Sequence, residues 1–182
     1  MLNRLSDIFT LYEARGNERY GEDVSQLEHA LQAALQAEQA GAAPALITAA
    51  LFHDVGHLLH RDAAAAFQAG INDRHETLGA KALAKLFGPD ITEPVALHVT
   101  AKRYLCQVEQ PYWQGLSAAS KASLELQGGP MTEVEAADFV ARPFAEDAVH
   151  LRRWDDAAKL SGLRTPSLAY YRTIAAACLR EE

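Results

Sequence analysis

Apolar positions along this chain recur with the 3.6-residue spacing of helices, and no convincing run alternates apolar and polar as a half-buried strand would. The pattern predicts a first helix over residues 3–15, ended near Gly16, followed by a polar stretch from Gly16 to Asp23. An Ala/Leu/Gln/Glu-rich segment over 24–40 is predicted helical and stops at Gly41, a residue suited to a helix C-terminus. A helix over 44–59 opens on Pro44, whose fixed φ suits a first turn. Residues 60–73 read as loop. Helices are then predicted over 75–86, closed by Phe87-Gly88-Pro89, over 92–105, and over 117–126, closed by Gly128-Gly129-Pro130. Thr132 and Glu135 form a capping box that opens a helix through Phe139. Two more, over 145–158 and 167–180, complete the chain. With no internal repeat, low-complexity linker or second-domain boundary, the expected fold class is all-α, one domain over residues 1–182.

Composition narrows the function. With 182 residues, 49% of them apolar and 23% charged, the chain can bury a real core. A net charge of -7 argues against a nucleic-acid partner. No run of about 18 apolar residues exists, so no membrane span is expected, and the first residues lack the pattern of a signal peptide. The two cysteines, Cys106 and Cys178, are isolated and form no disulfide framework or zinc-type pair, which suggests a reducing, cytoplasmic setting.

The candidate chemistry lies in histidines and aspartates. His53-Asp54 stands near the end of the apolar run ITAALFHDVGHLLH. A carboxylate there is costly unless paired or metal-bound. Adjacent helical residues point about 100° apart, so a carboxylate beside an imidazole can reach two ions in a small site. His53 and His57 stand at i, i+4 and either chelate one ion together or leave His57 behind the ligands. A two-residue motif is weak alone, but it has company. His29 lies in QLEHALQAA, His75 opens a helix, His98 lies in VALHVTAKRY, and Asp155 follows Trp154 in RRWDD. Four imidazoles and two carboxylates without a thiolate suit first-row metals such as iron or manganese, not a closed structural zinc site. His60 and His150 are expected at the surface.

The order His…His-Asp…His…His…Asp is that of the HD-domain metal superfamily in its dinuclear form. The segments QLEHALQAA, AALFHDVGH, HETLGAKAL, LHVTAKRYL, LSAAS, LELQGGPM and RRWDDAAK resemble, in order and spacing, the HD-domain mixed-valent diiron oxygenases. That family includes the 2-amino-1-hydroxyethylphosphonate dioxygenase (glycine-forming) and a relative acting on the N-trimethylated substrate (glycine-betaine-forming). The resemblance spans about residues 20–175. It implies a single HD-domain helical bundle with its metal core at about 24–160, and two iron ions as an Fe(II)/Fe(III) pair. One iron would be held by His29, His53, Asp54 and Asp155, the other by Asp54, His75 and His98, with Asp54 bridging.

It also implies a small organophosphonate and dioxygen as partners. Oxygenation of the carbinol carbon would break the C–P bond and release phosphate with glycine or glycine betaine. Lys102, one turn after His98, and Arg152, three residues before Asp155, would supply cations for the phosphonate. Ser120, Ser123, Gln127 and His57 would add hydrogen bonds, and direct catalytic roles would fall to Asp54, His57 and Lys102. The family's Tyr/Glu loop before the first metal histidine corresponds to Arg19-Tyr20-Gly21-Glu22, with Tyr20 one position nearer His29 than the family tyrosine. Tyr20 and Glu22 are thus expected at the amine end, with Tyr104 and Trp113 as further aromatic candidates. The alternative is an HD-domain phosphohydrolase of a nucleotide or phosphomonoester, using the same ligands with a metal-bound hydroxide. A non-catalytic module that keeps the HD shape is a third reading, disfavoured because all six ligands are present.

Overall fold

A computed structural model describes residues 2–19, 22–60, 69–70 and 72–180. Among these the chain is helical without strands. Helix α1 (Leu5–Arg15) is followed by α2 (Gln26–Gln39), α3 (Pro44–Phe52) and α4 (Val55–Leu59). After the loop come α5 (His75–Leu83), α6 (Pro89–Val108), α7 (Gln110–Gly115) and α8 (Ala118–Leu126). Three helices complete the chain: α9 (Glu133–Val140), α10 (Ala145–Ala157) and α11 (Leu168–Ala176).

Local chemistry explains most boundaries. Ser25 caps α2, its hydroxyl accepting from the Glu28 amide while the Glu28 side chain accepts from the Ser25 amide. Thr132 and Glu135 do the same for α9. Ser117 and Ser167 cap α8 and α11. The helices expected over 75–86 and 167–180 end early, at Leu83 and Ala176, α7 has no counterpart among the expected helices, and two further expectations shift. The helix expected over 92–105 begins at Pro89, because Gly88-Pro89 opens this helix rather than closing the previous one. The helix expected over 44–59 is two, broken at His53-Asp54, where Asp54 has φ -100° and ψ 9°.

The main core gathers α1, α2, α3 and α11 with the buried faces of α4–α6. Ala30, Ala33, Ala34 and Ala37 make a stripe of small buried residues along α2 that lets α3, with Ala49 and Ala50, pack closely against it. The long α6 is the spine: α3, α5 and α10 all pack along it. A smaller cluster of Leu97, Ala101, Met131, Phe139 and Ala148 joins α6, α9 and α10 on the far side. Contact between α4 and α5 is unusually close. A Cβ on Gly56 would stand 2.0 Å from the His75 carbonyl oxygen, so only glycine fits there. This fixes Asp54 and His75 as neighbours.

Candidate metal centre

Five helices each bring a side chain to one point, and every imidazole is oriented from behind. On α2, His29 has Nδ1 2.9 Å from the Ala158 carbonyl oxygen. At the end of α3, His53 has Nδ1 2.8 Å from the Ala50 carbonyl oxygen. On α6, His98 has Nδ1 2.7 Å from the Val95 carbonyl oxygen. His75, first residue of α5, has Nδ1 3.0 Å from Asp73 Oδ1. An acceptor behind each Nδ1 assigns the proton to that nitrogen and leaves the lone pair on Nε2. Those Nε2 atoms meet in pairs, His29 with His53 at 3.1 Å and His75 with His98 at 3.3 Å. Two lone pairs so close repel unless a cation stands between them. At the ~2.1 Å metal–nitrogen distance of a first-row ion, nitrogens at right angles lie about 3 Å apart. The donor set therefore fits two metal ions.

Asp54 lies between the pairs. Its Oδ2 is 3.5 Å from both His29 Nε2 and His53 Nε2, while Oδ1 is 3.4 Å from His75 Nε2 and 3.6 Å from His98 Nε2. One oxygen for each imidazole pair is the arrangement of a bridging carboxylate. Asp155 joins the first pair, Oδ1 standing 3.3 Å from His29 Nε2, and is held by Arg152 Nη1 at 2.7 Å. Among the described residues, side chains close enough to share an ion are His29, His53 and Asp155 on one side and Asp54, His75 and His98 on the other, with His57, Asp73 and His75 as a third group beside them.

Electrostatics agree. Burial alone would push both carboxyls up, but the histidines around Asp54, and Arg152 beside Asp155, hold them far below the usual range. Burial lowers His53 to about 4. It also works against charge on His29, yet the Asp155 and Asp54 carboxylates outweigh it and raise that imidazole to about 10. The anions thus hold a positive charge between the nitrogens, which a metal ion supplies better than a proton.

A cavity of about 120 Å³ opens beside this cluster, lined by charged and polar groups from α6, α8 and α10 and by the apolar Val24, Val99 and Leu126. Lys102 is buried, and its Nζ donates to Ser123 Oγ at 2.7 Å and, at 3.4 Å, to the Ser120 carbonyl. Burial, then the nearby Arg152 charge, lower its ammonium to about 7. Arg152 lines the cavity, but its guanidinium is engaged by Asp155, Asp156 and the Tyr112 hydroxyl, with Ser120 Oγ at 3.5 Å. Gln127 lines it too, its Oε1 buried without a hydrogen-bond partner among the described residues. His57 stacks on His75 at 3.9 Å and has Nδ1 2.8 Å from Asp73 Oδ2. Burial would lower His57, but Asp73 and Asp54 raise it.

Of the residues expected from sequence at the site, His29, His53, Asp54, His57, His75, His98, Lys102, Ser120, Ser123, Gln127, Arg152, Asp155 and Glu22 all line this one cavity or its floor. Tyr20 lies outside the described residues. Tyr104 and Trp113 are not in the cavity. Tyr104 packs on Phe139, and Trp113 is about half exposed beneath Lys121. His60 is half-buried, its Nε2 2.9 Å from the Asp73 carbonyl, whereas His150 is exposed.

Two residues were missed. Asp73, two before His75, couples His75 to His57, and its only sequence signal is that proximity. Lys159 also reaches the cavity. It stands two residues past the end of α10, where a charged residue is ordinary and gives no sequence signal.

Comparison with known proteins adds a family. The HD domain matches residues 27–137. Over 178 residues the chain is 51% identical to a hydroxymethylphosphonate dioxygenase of Gimesia maris, covering 97% of this chain and 88% of that protein. Over 162 residues it is 39% identical to a [1-hydroxy-2-(trimethylamino)ethyl]phosphonate dioxygenase (glycine-betaine-forming) of Leisingera caerulea, covering 88% and 83%. A 35% identity over 178 residues links it to an uncharacterized protein of Acanthamoeba polyphaga mimivirus, covering 96% and 81%.

Proposed function

The chain belongs to the HD-domain family, in the branch that holds phosphonate dioxygenases, and from that premise we propose that it uses dioxygen and two iron ions to cleave the carbon–phosphorus bond of a small 1-hydroxyalkylphosphonate. The observation that carries this reading is Asp54, with one oxygen toward each imidazole pair on the floor of a cavity that Lys102 also lines. His29, His53, Asp54 and Asp155 would hold one iron, and Asp54, His75 and His98 the other. The mixed-valent Fe(II)/Fe(III) pair supplies the activation of dioxygen that no protein side chain can provide.

The chain's own residues do the rest. Lys102 meets the phosphonate with a donor left over after its serine bonds. Arg152 holds Asp155 and adds positive charge, while Ser120, Ser123 and Gln127 fix orientation. His57, backed by Asp73, stands ready to donate a proton to the leaving phosphate oxygen. Across the reaction carbon gains one oxygen to become a carboxylate, phosphorus gains one to become phosphate, and one proton is released. Residues 1–182 act together as one HD domain. The reaction runs in the cytoplasm, a setting in keeping with the free thiols of Cys106 and Cys178.

The test is anaerobic loading with ferrous iron and ascorbate, addition of a 1-hydroxyalkylphosphonate, then air. Phosphate should appear with one dioxygen consumed per phosphate. Phosphate released equally well without air would make the protein a metal-dependent phosphohydrolase instead.

A further inference from the structure

The three 1-hydroxyphosphonates under consideration share a head, a phosphonate and a carbinol, and differ at the far end. One carries no second carbon, one an ammonium, one a trimethylammonium. A cationic tail needs an uncompensated carboxylate or an aromatic wall. The cavity offers neither among the described residues. No Phe, Tyr or Trp lines it. Of its carboxylates, Asp54 and Asp155 face the imidazole pairs, and Asp73 is held by His57 and His75.

That leaves Glu22, which is already engaged. Lys159 Nζ stands 2.8 Å from Glu22 Oε1, and Ser117 Oγ donates to the same oxygen at 2.6 Å. An ammonium has three donors. Lys159 directs them at Glu22, at Ser120 Oγ (2.9 Å) and at Ser117 Oγ (3.2 Å). None is left over for a phosphonate. Nor is Lys159 a wandering surface side chain, because the backbone on both sides of it is tied to α2. The Ala158 carbonyl lies against His29 Nδ1, and Leu160 exchanges two hydrogen bonds with the Gln32 amide, at 2.9 and 3.0 Å. The ion pair is thus built into the wall. Lys102, by contrast, bonds only serine oxygens among the described residues and remains the cavity's uncompensated cation.

Given the oxygenase reading above, on which this rests, we propose that Lys159 occupies, from within the protein, the place at Glu22 that a substrate ammonium would take. The enzyme then selects 1-hydroxyphosphonates with an uncharged far end, hydroxymethylphosphonate or a short alkyl homologue. It rejects those carrying an amine or trimethylammonium group. Lys159 is a specificity residue acting by charge, not a phosphonate ligand.

The test measures binding and turnover separately. Anaerobic iron-loaded protein is titrated by calorimetry with hydroxymethylphosphonate and with 2-amino-1-hydroxyethyl- and 1-hydroxy-2-(trimethylammonio)ethylphosphonate, and phosphate release from the same three is followed after air. The wild-type protein should bind hydroxymethylphosphonate at least about tenfold more tightly than either cation. Lys159→Met should shrink that preference about tenfold by exposing Glu22, and Lys159→Met with Glu22→Gln should restore it. Equal or tighter binding of a cationic phosphonate by the wild-type protein would overturn the proposal, and needs no variant. So would a Lys159→Met protein that loses affinity for all three in parallel, the mark of a plain phosphonate ligand. If the charge preference and its swing are present but no phosphate forms from any of the three, the assignment of Lys159 stands and the oxygenase reading is what fails.

Discussion

Lys102 combines burial, a charge and a task at one residue. Its ammonium is lowered to about 7, first by burial and then by Arg152, so the free protein carries that charge fully only below pH 7. A lysine binds a phosphonate when protonated. The kcat/KM for phosphate release should therefore fall as pH rises through about 7, by up to tenfold per unit, since kcat/KM reports ionisations of the free enzyme. Lys102→Met should lower kcat/KM about 10- to 100-fold, as expected for a lost hydrogen bond to a charged group, and should remove that descending limb. A profile unchanged in shape by the substitution would deny Lys102 the role. At this scale the sequence is most legible where chemistry-bearing residues stand in apolar surroundings. His29, His53-Asp54 and His98 announce themselves that way, because unsatisfied polar groups are not tolerated in such places. Asp73 and Lys159 do not. One sits in a polar loop and the other follows a helix end, where charged residues are ordinary, and their roles come only from what they touch.

Among the elements, the break between α3 and α4 shows what patterning misses. The run ITAALFHDVGHLLH keeps helical apolar spacing throughout and contains no proline. Yet the helix stops at Phe52, and Asp54 leaves helical geometry. The interruption sets the Asp54 carboxylate between two imidazole pairs, a demand made by residues far away in sequence. Gly56 belongs to the same device. A methyl group there would drive into the His75 backbone, which cannot swing aside as a side chain could. Gly56→Ala should part α4 from α5 at a cost of about 1–3 kcal/mol or more, typical of overpacking. At about 2–4 °C per kcal/mol for a chain of this size, the midpoint should drop by about 2–12 °C. Because His75 moves away from Asp54, iron content should fall toward one ion per chain. A variant with an unchanged midpoint and two ions would show that the close approach is not needed. Helix ends with a local cause, such as the capping boxes at Ser25 and Thr132, follow directly from local side-chain chemistry.

For the whole molecule, the ligands tie α2, α3, α5, α6 and α10 to a single point, although His29 and Asp155 stand at opposite ends of the chain. Stability should therefore depend on metal. Without a metal ion the two Nε2 pairs, at 3.1 and 3.3 Å, are pressed together inside the protein, and at the first pair only a proton on His29 stands between them. With ions present, ligand linkage adds about 2.7 kcal/mol for an ion at a hundred times its Kd, provided the unfolded chain does not bind it. That corresponds to a rise of about 5–10 °C per ion for a chain of this length. Calorimetry of chelator-treated protein, repeated after anaerobic ferrous iron, should show a rise of this size or larger. Imidazoles must be deprotonated to bind metal, so the rise should shrink as the buffer is made more acidic. Asp54→Ala supplies the decisive control. It removes the carboxylate that faces all four imidazoles, so iron should raise its midpoint little and dialysed protein should retain less than one ion per chain. If Asp54→Ala keeps two ions and the full rise, the two ion sites are independent, and the carboxylate at their centre is not a bridge.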